Sequence, residues 1–439
     1  MWKLLKNAWK VEDVRKKLIF TFFMLIVIRF GSVLPIPGVN TGYFAGLFQG
    51  LSGTDAFGWF NAMTGGSFTD LSVFALSITP YITSSIIMQL LTIAIPALEE
   101  LHKDGEEGRK KIAEYTRYLT VALALIESLA MAVGFGGRGL LIEFNFWSVV
   151  ITVVTMTAGS ALLMWIGERI TERGVGNGIS IVLLFNIISS LPDDFMGLYE
   201  RFLMGRGVLP QVTIGVIILA IIVAMVVFVI ILNGATRNIP VQYSRKMQGR
   251  RMLGGSGSNI PLKVNTAGVI PVIFASSIMS MPVVISSFLS VDYNTIGGKI
   301  ILALNSSSWC NPNMPWASVG LVIYIALVIL FAYFYTSITF NPLEVANNMK
   351  KSGGFIPGIR PGKPTSDYLQ SILNYIIFIG AVGLTIVCVI PIIFSGLFGV
   401  GHLSFTGTSL IIIVGVVLET IKAVESQLLV RNYKGFLND

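Results

Sequence analysis

The chain has 439 residues, of which 54% are hydrophobic and only 12% charged, with a net charge of +8 at neutral pH and a mean hydropathy of +0.76. Soluble chains carry roughly twice that charged fraction and divide into domains at this length, so a string of soluble domains is excluded. The two cysteines, Cys310 in a predicted loop and Cys388 in an apolar stretch, lie in different environments without metal-ligand spacing, which excludes a disulfide framework.

Ten apolar stretches fill most of what remains, roughly 18–34, 71–97, 119–136, 146–167, 178–191, 212–232, 267–289, 319–340, 372–394 and 407–424. A bilayer crossing takes about 20 mostly apolar helical residues, and most of these stretches reach or approach that length. The fifth is short, as expected of a tilted, half-exposed or water-lining segment. Only helices and closed barrels satisfy the backbone in lipid, and the runs lack the alternation of barrel strands. The expected fold is therefore an all-α polytopic membrane protein with ten transmembrane helices. Lys3, Lys6 and Lys10 lead into the first span with no small-residue cleavage site, so no cleavable signal peptide is expected.

Charge sets the orientation. With the N-terminus inside and the spans alternating, the inner side receives the N-terminal basic cluster, Lys103 to Arg117, Arg169 and Arg173, Arg237 to Lys263, Lys350 to Lys363, and Lys422, Arg431 and Lys434. That is 26 of the 31 basic residues. Outside lie Arg138, Arg201, Arg206 and Lys299, and Arg29 is within span 1. Such asymmetry follows the positive-inside rule, so both termini are expected in the cytoplasm. The inner loops 234–266 and 341–371 are long, the first with six basic residues and no acid. Loops of that length are usually functional or disordered. They read either as a surface drawn to anionic lipid or as a docking platform for a large acidic partner.

The outer segment 41–70 lacks Lys and Arg and carries a short apolar piece, Phe57, Trp59, Phe60, Met63 and Phe68 around Gly65-Gly66. It is too short to span, and suits either an external cap or a half-inserted element lining a cavity. Span 2 contains Pro80-Tyr-Ile82-Thr-Ser84-Ser85, and span 7 contains Pro271-Val-Ile273-Phe-Ala-Ser276-Ser277. These spans run in opposite directions and each is second in its five-span half, a weak hint of inverted repeats around a pathway. The glycines at 174, 176 and 178 lack the strand and lysine of a phosphate loop and read as a tight turn into span 5. His102 and His402 are predicted in loops on opposite sides, so no nucleophile–base pair or metal cluster assembles within the bilayer. Arg29 and Glu127 are the two ionisable residues inside spans. Intramembrane charge is functional by default, although a structural ion pair or a water-filled vestibule accounts for them as well.

At the loops the chain becomes recognisable. Asn341-Pro342, Ala346-Asn347-Asn348-Met349-Lys350-Lys351-Ser352-Gly353-Gly354 and Phe355-Ile356-Pro357-Gly358-Ile359-Arg360-Pro361-Gly362 resemble the loop between spans 8 and 9 of the bacterial SecY family, the channel subunits of the Sec protein translocon. Further matches follow in order. They are Pro35-Ile36-Pro37-Gly38, Phe60-Asn61 with Gly65-Gly66, Gly105 to Lys111 with Tyr115-Thr116-Arg117-Tyr118, and Thr171-Glu172-Arg173-Gly174 through Ser180. Gln248-Gly249-Arg250-Arg251, Pro261-Leu262-Lys263-Val264-Asn265 and Gly407-Thr408-Ser409-Leu410 complete the set.

The resemblance implies two inverted five-helix halves around a central pore: residues 1–191, an external hinge loop 192–210, residues 211–424, and a cytoplasmic tail 425–439. It implies a plug at about 57–70, including Phe60, Asn61, Met63, Gly65, Gly66 and Phe68, that fills the outer funnel at rest as an apolar mini-helix. It implies a pore ring of Ile78, Ile82, Leu183, Ile187, Ile273 and Ile412. Ile78/Ile82 and Leu183/Ile187 are i, i+4 pairs that each face one direction from a helix. The family opens sideways between spans 2–3 and 7–8, where Gln89 and Ser277 are candidates to meet across the gate, or else bond to their own helix backbones. Unfolded secretory polypeptides would cross through the funnel, and apolar segments would partition sideways into lipid. Implied partners are the SecE and SecG subunits, a SecA motor ATPase, the ribosome, signal peptides and nascent chains, with anionic lipids at the basic face. Arg250, Arg251 and Arg360, and Tyr433 in the tail, are the candidate contacts. No cofactor and no metal are expected, and ATP hydrolysis is assigned to the separate motor. A five-plus-five secondary transporter is the rival reading, with an intramembrane hydrolase behind it.

Overall fold

Proline, glycine and packing decide where the apolar runs begin and end. The computed structural model describes residues 8–42, 61, 63–204, 208–243, 246–248, 251–253, 257–288, 295–312, 314–398 and 407–435. Helix α1 (Glu12–Val33) takes the first span, with Glu12 and Asp13 at its positive end. Helices α2 (Thr79–Ala94) and α3 (Pro96–Lys103) bend by 106° at their junction, because Pro96 cannot continue the hydrogen-bond ladder. Then follow α4 (Glu106–Phe135), α5 (Phe146–Arg173), α6 (Gly178–Leu198) and α7 (Val208–Gly234). In the second half come α8 (Ile270–Phe288), a short α9 (Ile296–Leu304), α10 (Val319–Thr339), α11 (Pro342–Lys351), α12 (Lys363–Phe398) and α13 (Gly407–Gly435). Among the described residues six helices are long and apolar enough to cross a membrane, or seven if the bent α2–α3 pair is one span. Helices α1, α8 and α13 lie on the other three predicted stretches.

Two expectations need correction. Residues 178–191 are not a short span, nor is 192–210 a loop throughout. Asn177 caps α6 by accepting from the Ile179 and Ser180 amides, and the helix runs through Pro192 to Leu198. A π-helical turn, Tyr199–Leu203, extends it. The extension persists because Leu198 and Phe202 bury themselves against Ile214, Ile218 and Phe394, where the helix would otherwise fray.

The loops expected on the inner side are also not purely helical. Strands β1 (Thr236–Tyr243) and β4 (Gly257–Lys263) pair antiparallel from Thr236↔Lys263 to Gln242↔Gly257. Strands β2 (Lys246–Gln248) and β3 (Arg251–Leu253) form a hairpin between them. Strand β5 (Gly354–Phe355) joins the other edge of β1 through Gln242↔Phe355. The two long basic loops thus share a three-stranded sheet, β4-β1-β5, while β2 and β3 pair separately. Its alternation puts Ile239 and Val241 inward, against Met349, Ile356, Leu369 and Leu373. A reading by charge attends to the outward residues and misses that alternation.

The core is divided. One apolar cluster draws only on residues from Ile36 to Met156, and two others only on residues from Met225 and Ile239 onward. Another takes members from both ends of the chain: Ile28, Met63 and Phe74 through Ile187 on one side, Ile273, Ile412 and Val416 on the other. The candidate site lies in this shared cluster.

Candidate functional site

Helix α6 can approach its neighbours closely because glycine stands at the contacts. A Cβ on Gly178 would come within 2.0 Å of the Gly167 carbonyl oxygen, and one on Gly159 within 2.0 Å of the Val73 oxygen. Close backbone approach through small residues is the usual way helices associate in lipid. It presses α6 against α5 and the approach to α2 against α5.

All six proposed ring residues fall in the shared cluster. Ile78, Leu183, Ile187, Ile273 and Ile412 are buried, and Ile82 packs against them half-buried. They come from the start of α2 and from α6, α8 and α13, which lie far apart in sequence. A patch of branched side chains without polar groups excludes water and ions and offers nothing for a passing chain to bind.

The segment before α2 sits against this cluster. Met63 is a member of it. Of the proposed plug, Phe60 lies outside the described residues, as do 57–59 and 62. Residues 65–71 are turns, while the described residues before them, Asn61, Met63 and Thr64, are helical, so the expected mini-helix does not extend past Thr64. Polar side chains fold the segment on itself, which competes with helix. The Asn61 side-chain oxygen accepts from the Thr69 amide at 3.3 Å and from the Thr69 hydroxyl. The Thr64 hydroxyl donates to the Asn61 carbonyl at 3.0 Å and accepts from the Phe68 amide at 3.3 Å. Gly65 and Gly66 take φ of +65° and +86°, which favours glycine, and Phe68 is buried in the outer cluster of the first half. Leu71 and Ser77 also have positive φ, 46° and 52°, a strained conformation that surrounding structure must hold.

Polar side chains from α1 and α6 reach this segment. Asn186 donates to the Met63 carbonyl at 3.3 Å and to the Ser77 hydroxyl at 2.9 Å. Ser189 bonds to the Gly65 carbonyl at 3.4 Å and the Asn186 carbonyl at 2.9 Å. Arg29 donates to the Gly65 carbonyl at 3.5 Å and to the Ser189 hydroxyl at 3.3 Å. The ion pair weighed between Arg29 and Glu127 does not form. Sequence reasoning missed Asn186 and Ser189, although an amide between Phe185 and Ile187 in an apolar span is itself a signal.

The remaining candidates are scattered. Gln89 is exposed on α2 and Ser277 half-buried on α8. Span 2 packs mainly on α4, where buried Ser84 bonds the Thr116 carbonyl at 2.9 Å and the Thr120 hydroxyl at 2.7 Å. Helix α8 packs on α10. Arg360 is exposed between Gly358 and Gly362, whose φ values are +83° and +108°. The Arg360 carbonyl accepts from Thr365 at 2.8 Å, which fixes the turn. Arg251 lies on β3 and Tyr433 near the end of α13, while Arg250 is outside the described residues. Among the described residues there is no group of His, Cys, Asp or Glu able to hold a metal.

With this geometry in hand, comparisons with known proteins are specific. The family model SecY matches residues 72–421. The protein translocase subunit SecY of Corynebacterium glutamicum is 44% identical, over 98% of this chain and 99% of that protein. A solved SecY channel whose plug domain is described as stabilising the closed state superposes with a TM-score of 0.61, at 16% identity over 94% of this chain and 92% of that one. Sec61 from a canine ribosome–channel complex of the endoplasmic reticulum gives 0.60, at 17% identity over the same shares.

Proposed function

The chain belongs to the SecY family, and we propose that it is the channel subunit of a bacterial protein translocase. It passes unfolded secretory polypeptides across the inner membrane and releases apolar segments sideways into lipid. The observation that carries this reading is the shared cluster. Six branched residues from four distant parts of the chain meet where the two halves touch, and the Met63 segment rests on them. We read the six as a dewetted pore ring, 61–70 as part of its plug, and the helices as ten spans in two inverted halves with both termini cytoplasmic.

Gln89 and Ser277 are retained as lateral-gate candidates, each on the helix where such a gate would part. We read Arg360 in its turn, together with Arg250 and Arg251 of the basic loop, as the partner surface, with Tyr433 as a tail contact. The partners proposed are SecE and SecG, a SecA motor, the ribosome, signal peptides with their nascent chains, and anionic lipid. Sec61, a similar fold, is itself recorded in a ribosome complex. ATP hydrolysis belongs to the motor.

Vesicles test the assignment. With the motor and partner subunits added, vesicles holding this chain are expected to import a preprotein. Solute uptake or peptide cleavage by the chain without protein import would overturn the reading.

A further inference from the structure

We propose that Arg29, Asn186 and Ser189 form a clasp that holds the plug shut by its backbone and thereby sets how strong a signal is needed to open the channel. The clasp rests on the plug reading and adds residues that the reading does not contain. Its targets are the carbonyls of Met63 and Gly65, reached at 3.3 Å by Asn186 and at 3.5 and 3.4 Å by Arg29 and Ser189. The approach is built in. Gly65 has φ +65°, and a Cβ there would lie 2.7 Å from the Ser189 hydroxyl and 2.8 Å from the Asn186 carbonyl, so only glycine lets the plug backbone lie on α6.

The three side chains are linked. Ser189 accepts from Arg29 and donates onward, so the bonds reinforce one another. Asn186 is 4% exposed and Ser77 1%. Buried at that depth, an amide left without partners is costly. Asn186 also holds Ser77 in its positive-φ conformation from one side, while Ser160 bonds the Ser77 carbonyl at 3.2 Å from the other. The plug end and the strained entry to α2 are therefore fastened by one amide. The bonds to the plug are long, at the weak end of hydrogen-bond geometry. Such contacts bias a two-state element without locking it, and water entering the opened funnel can replace them.

Arg29, Asn186 and Ser189 are positioning residues here, and none belongs to the ring. The test uses the full chain assembled with its partner subunits in membranes, with Met63→Cys as a reporter labelled from outside. Asn186→Leu and Arg29→Met are each expected to raise resting labelling about fivefold, the equivalent of roughly one lost hydrogen bond. Both should also raise transport of a weak-signal preprotein, while transport of a strong-signal preprotein stays unchanged. Arg29→Lys is expected to restore part of the closed state. Ser189→Ala, which removes one oxygen, supplies the same reading should a bulkier variant fail to accumulate. Labelling and stringency unchanged in the variants that accumulate would overturn the clasp. Labelling of the parent that is the same with and without a trapped preprotein would instead overturn the plug reading itself.

Discussion

On the proposed reading, helix α6 carries two faces that would keep the channel closed by opposite means. Leu183 and Ile187 belong to the apolar cluster and, as ring residues, would resist ions by offering them nothing. Asn186 and Ser189, on the same turns, hold the plug segment through its carbonyls. The apolar face is a barrier, because its effect is the cost of wetting. The polar face is a latch, because its effect is a small difference between two positions of one segment. A barrier is made more permeable by adding polarity and a latch is loosened by removing it, so the faces respond to opposite substitutions.

The largest effect should come from the support that both faces share. Gly178 at the start of α6 leaves no room for a side chain, its Cβ falling 2.0 Å from the Gly167 oxygen and 2.7 Å from Ile170. Backbone cannot move aside as a flexible side chain can. Gly178→Val is expected to cost about 3 kcal/mol or more. The check is folded protein recovered from the membrane and its melting temperature, and near-parental values would show that the faces do not depend on this packing.

The ring alone is next. Ile82→Asn with Ile412→Asn places two amides in the apolar cluster while leaving the Asn186 contacts in place. Resting ion conductance in planar bilayers is expected to rise by about tenfold or more as the constriction wets, and weak signals should become sufficient. Conductance and signal stringency both at parental level would remove the ring assignment. A conductance rise without increased external labelling of Met63→Cys would separate barrier from latch cleanly.

How much of this was legible in the sequence differs between the two faces. That the six proposed ring residues would gather could be read because branched residues in helical spacing, such as Ile78 and Ile82, match positions of a family that the chain resembles. The latch could not, because its targets are carbonyl groups, which every residue carries. The long apolar helices were legible from hydropathy, but the extension of α6 past Pro192 depends on Leu198 and Phe202 meeting Phe394, nearly two hundred residues away. The turns at 65–71 likewise follow from Asn61 and Thr64 turning to nearby backbone, a competition that composition does not resolve. The sheet joining the basic loops rests on β5, two residues long, below what any periodicity can register.

The smallest effect on the resting barrier should come from the long basic loops, whose described apolar residues pack in a separate cluster. Arg360 sits in a turn fixed by two positive-φ glycines and by the Thr365 bond to its carbonyl. Neighbouring Ile356 is anchored in the same cluster as β1, so the guanidinium is presented from a stiff base rather than a free loop. Its planar donor fork suits bidentate pairing with carboxylate or phosphate. Reversing the charge removes that pairing and sets like charges together. Losses of this kind across an interface run to about 2–5 kcal/mol. Arg360→Glu is therefore expected to lower motor-driven transport more than about tenfold, while resting conductance and Met63→Cys labelling stay at parental values. Normal transport at physiological salt would remove Arg360 from the partner surface. A change in conductance would mean that the loop sheet bears on the closed state, and the barrier and latch could no longer be assigned to α6 and its neighbours alone.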